Sequence, residues 1–187
     1  GALNGIVVAY LGVVPFIATL GMQYAVRGVA LVYTGGRPIN ALTTAFTNLG
    51  KGYAGPIPVP VIIFAIVALI SWFFLAKTQF GRYIYAIGGN EKAALVSGLR
   101  VKQLKFLSYV INGMTAALAG ILLAARVAVG SPTAGESYDL LAITAVVVGG
   151  TSNAGGTGGI LPSIIGVFIV TVMNNGMDLL GISGYYQ

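Results

Sequence analysis

The sequence contains no cysteine and no histidine among its 187 residues. It therefore offers no thiol nucleophile, no disulfide, no zinc site built from these side chains and no imidazole general base. Charge is also scarce, because 7% of the residues are charged, against about a quarter in soluble domains. A soluble protein with so few charges could not cover its own surface, so the composition predicts a membrane protein.

Acidic residues are the scarcest charged group, with four against ten basic residues. They are Glu91, Glu136, Asp139 and Asp178. An intramembrane enzyme would need two carboxylates close together, and this spacing along the chain does not favour a pair. We therefore expect no catalytic residue, no metal site and no cofactor. The net charge of +6 does not indicate nucleic acid, because the basic residues concentrate between apolar segments without interleaved aromatic side chains.

Long apolar segments are abundant instead, since 57% of the residues are hydrophobic. A helix needs about 20 residues to cross a bilayer. Residues 59–76 and 107–129 come close to or exceed that length and are predicted to be membrane spans. Small residues recur along one face of the second span and predict a seam for packing against another helix. They are Gly113, Ala117, Gly120 and Ala124. In the same span, Asn112 and Thr115 are expected to bond to a neighbouring helix or to line a polar pathway.

The N-terminal apolar segment, residues 6–33, is too long for one span and too short for two. Pro15 interrupts it and lacks an amide donor. We predict a kinked or broken helix with pieces at 6–14 and 16–33. Arg27 is predicted to extend its side chain to the membrane surface, with a role in a pore as the alternative.

Residues 35–58 are polar and rich in turn residues, and they are predicted to form an external loop. Leu42, Phe46 and Leu49 have helical spacing and predict a short amphipathic helix in this loop. Such a helix would touch an external partner or cover the ends of the spans. Residues 131–136 are predicted to form a second external turn.

Two apolar segments near the C-terminus flank a glycine-rich stretch, residues 149–159. Residues 140–148 are too few to cross a bilayer as a helix, and a second short helix is predicted at 160–173 with Gly176 as its stop signal. We interpret the pattern as a re-entrant or discontinuous helix. The glycine stretch lacks the Gly-Lys-Ser/Thr ending of a phosphate-binding loop.

Six of the ten basic residues lie in one insert, residues 77–106, between the two predicted spans. Such loops stay in the cytoplasm, because Lys and Arg resist translocation. Asn90 is a good helix N-cap, Glu91 complements the positive end of the helix dipole, and Gly98 can adopt the left-handed conformation of a helix end. The insert is therefore predicted to contain a helix of about two turns, residues 90–97.

This short helix has two interpretations from its spacing alone. In one, Ala93, Ala94 and Ser97 form a face of small residues that enters a socket on a cytoplasmic partner, while Leu95 and Leu99 rest on the membrane helices. In the other, it is an ordinary interfacial helix that closes a loop.

Motifs in and around the insert carry a family resemblance. Residues 78–91 read TQFGRYIYAIGGNE and are followed by Ala93-Ala94 and Ser97-Gly98. Further motifs are LNG at 3–5, PF at 15–16, TLG at 19–21, RG at 27–28, PTAG at 132–135, AVV at 145–147, GGTS at 149–152, GG at 155–156 and NNG at 174–176. Together they resemble the permease subunit of bacterial ABC monosaccharide importers, in the group for ribose, xylose and galactose.

The resemblance implies an all-α polytopic bundle of transmembrane helices in the bacterial inner membrane, with a broken or re-entrant segment and a cytoplasmic coupling helix. It implies a non-catalytic subunit whose partners are an ABC ATPase, a periplasmic or lipid-anchored sugar-binding protein, a second permease copy, a monosaccharide and membrane lipid. Full members have further spans, so we expect residues 1–187 to be a fragment of one permease domain, with residues 77–106 as its coupling loop.

The resemblance and the polar residues at membrane depth also give candidate site residues. Those implied for ATPase coupling are Gly88, Gly89, Asn90, Glu91, Ala93, Ala94, Ser97 and Gly98. Candidates for the substrate pathway, each also open to a purely structural role, are Asn112, Thr115, Thr151, Ser152, Asn174 and Asn175.

Three positions depart from the family pattern. Leu141 stands where the family usually has an acidic residue, and Thr157 and Gly159 stand where relatives for ribose often carry a basic residue. These departures leave the identity of the sugar open. The alternative function is an ion-coupled secondary transporter, which would need a carboxylate near the glycine-rich break, and Asp178 is the nearest candidate.

Overall fold

The computed structural model describes residues 1–40 and 43–183, which form α-helices and one short hairpin. The helices are α1 (Ala2–Ala9), α2 (Pro15–Thr34), α3 (Thr44–Lys51), α4 (Val59–Lys77), α5 (Gln79–Gly89), α6 (Glu91–Val96), α7 (Val101–Val127), α8 (Tyr138–Val148) and α9 (Ile160–Leu179). The strands β1 (Tyr53–Ala54) and β2 (Ile57–Pro58) pair antiparallel. The predicted all-α class is confirmed.

Four of the described helices, α2, α4, α7 and α9, are long and apolar enough to cross a membrane. The shortest of them, α4, has 19 residues and measures about 28 Å at 1.5 Å per residue, close to the thickness of the hydrocarbon core. The predicted spans at 59–76 and 107–129 are confirmed as α4 and α7. However, α7 begins at Val101, so it includes Lys102 and Lys105, which were predicted to lie in the loop.

The N-terminal segment is broken, as predicted, but its pieces have different bounds. α1 covers Ala2–Ala9 rather than 6–14, and residues 10–14 connect it to α2. Pro15 is the first residue of α2. At that position its missing amide costs nothing, because the first amides of a helix have no partner within the helix. The proline therefore starts a span and does not bend one.

The loop before α4 contains the predicted amphipathic helix, α3, which includes Phe46 and Leu49. Leu42, the third residue of that prediction, lies outside the described residues. The hairpin of β1 and β2 was not predicted, and it turns at Gly55, whose φ of +67° favours glycine.

The described chain divides into two compact units. The first comprises Gly1–Val67 and Arg100–Glu136, and in it α1 and α3 both pack on α7. A methyl group added at Gly113 would lie 2.5 Å from the Cα atom of Gly1, so the predicted small-residue seam is confirmed at this position. At Gly120, farther along the seam, such a methyl group would meet no described atom within 4 Å.

Arg27, in the first unit, forms an ion pair instead of only extending to the surface. Its Nη1 atom donates to Oε1 of Glu136 at 3.0 Å, and the Arg27 side chain is 20% exposed. This pair was not predicted from the sequence, because the two residues are 109 positions apart. An ion pair this close to solvent contributes about 1 kcal/mol or less to stability.

The second unit comprises Ala68–Leu99 and the chain from Ser137 onward. Its main packing is between α8 and α9, which lie side by side as a helical hairpin. α8 has 11 residues and is too short to span, as predicted. The predicted end of the second helix at Gly176 is wrong: α9 continues through Gly176 to Leu179, and Gly181 takes the left-handed conformation, with φ +70°.

Candidate functional site

The chain turns twice with almost no loop between α4 and α6. Thr78 alone separates α4 from α5, and its hydroxyl donates to the carbonyl of Phe74 at 2.6 Å and accepts from the amide of Gly81 at 3.4 Å. These bonds satisfy one carbonyl at the end of α4 and one amide at the start of α5. The basic insert is therefore mostly helical, and it contains a helix, α5, that was not predicted from the sequence.

Asn90 alone separates α5 from α6 and bonds to both. Its backbone amide donates to the carbonyl of Ala86 at 3.0 Å, which continues the ladder of α5. Its side-chain Oδ1 accepts from the amide of Ala93 at 3.0 Å, which caps α6. The predicted N-cap is confirmed. One residue thus joins the two helices at a fixed corner, with no flexible linker.

Replacing Asn90 by alanine is expected to loosen α6, because the amide of Ala93 then loses its acceptor. The cap contributes about 1 kcal/mol, so amide hydrogen exchange in α6 should become about fivefold faster. Mass spectrometry of the intact protein after exchange measures this. Asn90→Asp keeps an acceptor at the same position and should leave exchange near the original rate. Equal rates in all three proteins would show that the cap does not hold α6.

The faces of α6 differ from the prediction. Ala94 is 5% exposed and packs inward, whereas Leu95 is 59% and Val96 87% exposed. Leu95 was predicted to rest on the membrane helices, but in the described part of the chain it is mostly exposed. The C-terminal end of α6 is fixed as predicted, since Gly98 follows with φ +80°. We call Leu95 and Val96 the exposed apolar pair.

The end of α5 lies directly against the glycine-rich stretch, backbone on backbone. A methyl group added at Gly88 would lie 2.6 Å from the amide nitrogen of Gly156, and one added at Gly155 would lie 2.6 Å from the carbonyl oxygen of Gly88. The hydroxyl of Tyr85 also donates to the carbonyl of Gly158 at 2.9 Å. We call this contact the glycine joint.

A cleft of about 270 Å³ opens beside the glycine joint. Gly88, Thr151 and Ser152 line it, together with Thr157 and Gly159. The cleft thus brings Gly88, which was predicted for ATPase coupling, next to Thr151 and Ser152, which were predicted for the substrate pathway. Thr157 and Gly159, two of the three positions that depart from the family pattern, also line it. The hydroxyl of Thr151 lies 3.4 Å from that of Ser163 in α9.

A second cleft, of about 300 Å³, lies between α8 and α9. Asn174 and Thr171 are its polar residues on α9, and Tyr138 and Leu141 line it from α8. Leu141, the third departure, therefore faces the same space as Asn174, whereas Asn175 is exposed.

The remaining pathway candidates lie in α7. Asn112 and Thr115 are exposed, and the Thr115 hydroxyl donates to the carbonyls of Ile111 and Asn112 at 3.2 and 3.0 Å. These bonds remain within one helix. The described structure therefore places the six candidates in several locations, with Thr151 and Ser152 together and Asn174 in a different cleft.

No group of three or more acidic residues that could hold a metal ion occurs in the described part of the chain. Glu136 is paired with Arg27. Asp178 lies near the end of α9 away from the glycine-rich stretch, 18 residues after Ile160, which is about 27 Å along the helix. The carboxylate that an ion-coupled transporter would need at the break is thus not supplied by Asp178.

Comparison with known proteins matches all of residues 1–187 to the family described as branched-chain amino acid transport system / permease component. The chain is 50% identical over 186 residues to the ribose import permease protein RbsC of Bacillus subtilis, a match that covers 98% of the chain and 58% of that relative. It is 48% identical over 191 residues to RbsC of Escherichia coli K12, covering all of the chain and 60% of the relative.

A third relative, the D-allose transport system permease protein AlsC of Escherichia coli K12, is 40% identical over 187 residues, covering all of the chain and 57% of its own length. No solved structure matches the chain. The chain thus spans somewhat less than two thirds of these relatives. Four of the described helices are long and apolar enough to cross a membrane, in agreement with a multi-pass protein of the inner membrane. The chain belongs to the family described as branched-chain amino acid transport system / permease component.

Proposed function

We propose that this chain is part of the membrane-spanning permease subunit of an ATP-driven importer for a monosaccharide such as ribose. The names of the relatives support the class of solute. The observation that carries the coupling role is α6, a short helix held at a fixed corner with an exposed apolar pair. We further propose that residues 1–187 belong to one transmembrane domain, in which residues 77–106 are the coupling loop on the cytoplasmic side.

In this proposal α6 docks on a cytoplasmic ABC ATPase. Burying a large aliphatic side chain contributes about 1.5–3 kcal/mol, and Leu95 and Val96 are exposed at the tip of α6. Lys92 and Arg82 are exposed on α6 and α5, so the matching rim of the ATPase would be acidic.

The proposed coupling residues are Gly88, Gly89, Asn90, Glu91, Ala93, Ala94, Ser97 and Gly98, to which the exposed apolar pair is now added. The apolar pair was missed because helical spacing alone did not fix which face of so short a helix packs inward.

The chain performs no chemistry of its own in this mechanism. ATP binding closes the ATPase subunits, and the closure moves α6. Because α6 follows α5 at a fixed corner, the two helices move together, and the attached spans change which side of the membrane the pathway faces. A second permease copy would form the other half of the pathway, and a sugar-binding protein would deliver the sugar at the external side.

A neutral sugar needs amide and hydroxyl groups along its path, and their bonds must be weak enough for release. Asn174 and Thr171 line the cleft between α8 and α9, and Asn112 and Thr115 are exposed on α7. We propose Asn112, Thr115, Asn174 and Asn175 as residues that contact the sugar. Thr151 and Ser152 remain candidates, although their position beside Gly88 equally suits a role in coupling.

Uptake by the intact importer in sealed membrane vesicles tests the proposal. With the ATPase and binding protein present, labelled ribose should accumulate with ATP and should continue to accumulate after a protonophore collapses the membrane potential. Substitution of the catalytic glutamate in the ATPase should abolish uptake, and unlabelled allose, xylose and galactose compared as competitors would identify the preferred sugar. Uptake that needs the membrane potential but not ATP would contradict the proposal and support the secondary transporter.

A further inference from the structure

We infer that the glycine joint transmits the movement of α6 to the hairpin of α8 and α9. This inference rests on the proposed function, because it needs an ATPase that moves α6. It goes beyond that function in naming the residues through which the movement travels. These are Gly88 and Tyr85 on α5, and Gly155, Gly156 and Gly158 in the glycine-rich stretch.

The contact at the joint is between main chains. Methyl groups added at Gly88, Gly155 and Gly156 would each lie 2.6 to 2.8 Å from a backbone atom across the contact. Gly155 and Gly156 also have φ values of +90° and +77°, which other residues rarely adopt. Glycine is required here both for space and for conformation. Backbones in direct contact leave no side chain between them that could change rotamer and absorb a displacement.

Gly158 ties the joint to both helices of the hairpin. Its carbonyl accepts from the Tyr85 hydroxyl at 2.9 Å. A methyl group added at Gly158 would lie 2.5 Å from Cγ2 of Thr151, which follows α8, and the Thr151 hydroxyl lies 3.4 Å from that of Ser163 in α9. A displacement of α5 therefore reaches the end of α8 and the start of α9 together.

Close contacts and short hydrogen bonds hold the chain on either side of the joint. Towards α6, Asn90 fixes the corner through its backbone amide and its side chain. Towards the hairpin, Gly149 contacts the backbone of Pro162, and Gly166 contacts the carbonyl of Ala145. Between α6 and the hairpin, the described contacts thus form a continuous path of main-chain packing and short bonds.

Two helical glycines allow a matched test in the reconstituted intact importer. Gly88→Ala places a methyl group against Gly156, whereas Gly21→Ala, in α2, places one where no described atom lies within 4 Å. Both changes replace a helical glycine by alanine. We expect Gly88→Ala to keep the ATPase bound and hydrolysing ATP, but to reduce the sugar moved per ATP by about tenfold or more. Gly21→Ala should match the unaltered protein.

Tyr85→Phe provides a second variant that keeps the ring and removes only the bond to Gly158. The sugar moved per ATP should fall by about fivefold, the factor that corresponds to one neutral hydrogen bond. If Gly88→Ala does not fold, the sugar moved per ATP by Tyr85→Phe tests the inference by itself. An unchanged ratio in Tyr85→Phe and in folded Gly88→Ala, with the ATPase bound, overturns the inference and leaves the proposed function intact. Failure of the unaltered protein to bind an ATPase overturns both.

Discussion

Replacing Gly166 by alanine is expected to separate α8 from α9 and to destabilise the protein by about 3 kcal/mol or more. A methyl group at Gly166 would overlap the carbonyl oxygen of Ala145 and would lie 2.7 Å from the amide nitrogen of Gly149. Both are backbone atoms, so no change of rotamer relieves the overlap. In a membrane, close packing is a main source of attraction between helices, and it is lost when the backbones move apart.

The measurement is thermal unfolding of the intact protein in detergent, with resistance to limited proteolysis as a second readout. Gly176→Ala is the matched control, since Gly176 lies in the same helix and a methyl group there meets no described atom within 4 Å. That control should be neutral or stabilising by up to about 1 kcal/mol, because alanine favours a helix over glycine. Equal melting temperatures for the two variants would show that α8 and α9 do not pack as described.

The elements that the sequence predicted well are those set by local chemistry. The length and apolar character of residues 59–76 sufficed to identify α4, and a polar N-cap at Asn90 with glycine at 98 sufficed to place α6. In each case the decisive groups lie within a few residues of one another. Tertiary packing had little opportunity to override them.

Other elements were missed because an opposing local signal dominated. The basic charge of residues 77–106 favoured a loop, although Phe80, Tyr83, Ile84 and Ile87 recur at helical spacing and mark an apolar face of α5. Similarly, Gly176 resembles a helix stop, yet α9 continues past it to Leu179. Glycine ends a helix when it adopts the left-handed conformation, and here Gly181 does so.

The contacts of the candidate site could be predicted only in part from the sequence, for a different reason. Its contacts join residues far apart in the chain, such as Tyr85 with Gly158 and Arg27 with Glu136, which are 73 and 109 positions apart. A glycine-rich stretch predicts an irregular backbone but does not identify the backbone that packs on it. The family resemblance predicted a coupling role for residues 88–98. To these we propose adding the glycines that contact Gly88 and the exposed apolar pair.

Val96→Asp is expected to abolish docking of the ATPase. Val96 is 87% exposed, so the substitution removes little packing within the chain, and at the end of α6 it costs about 1 kcal/mol or less in helix stability. In the proposed complex, however, the same side chain is buried against the partner, and an unpaired carboxylate there costs several kcal/mol. Sugar uptake should fall to background. Val96→Thr, which nearly keeps the shape without a charge, should retain most of it.

The amount of ATPase that co-purifies with the intact permease measures this docking directly, because it does not depend on sugar or on turnover. Gln103→Asp is the control, since it adds the same charge at an exposed position in the first turn of α7. With α6 as the coupling helix, Val96→Asp loses the ATPase and Gln103→Asp retains it. An undiminished amount of ATPase on folded Val96→Asp would contradict the assignment of α6 as the docking element.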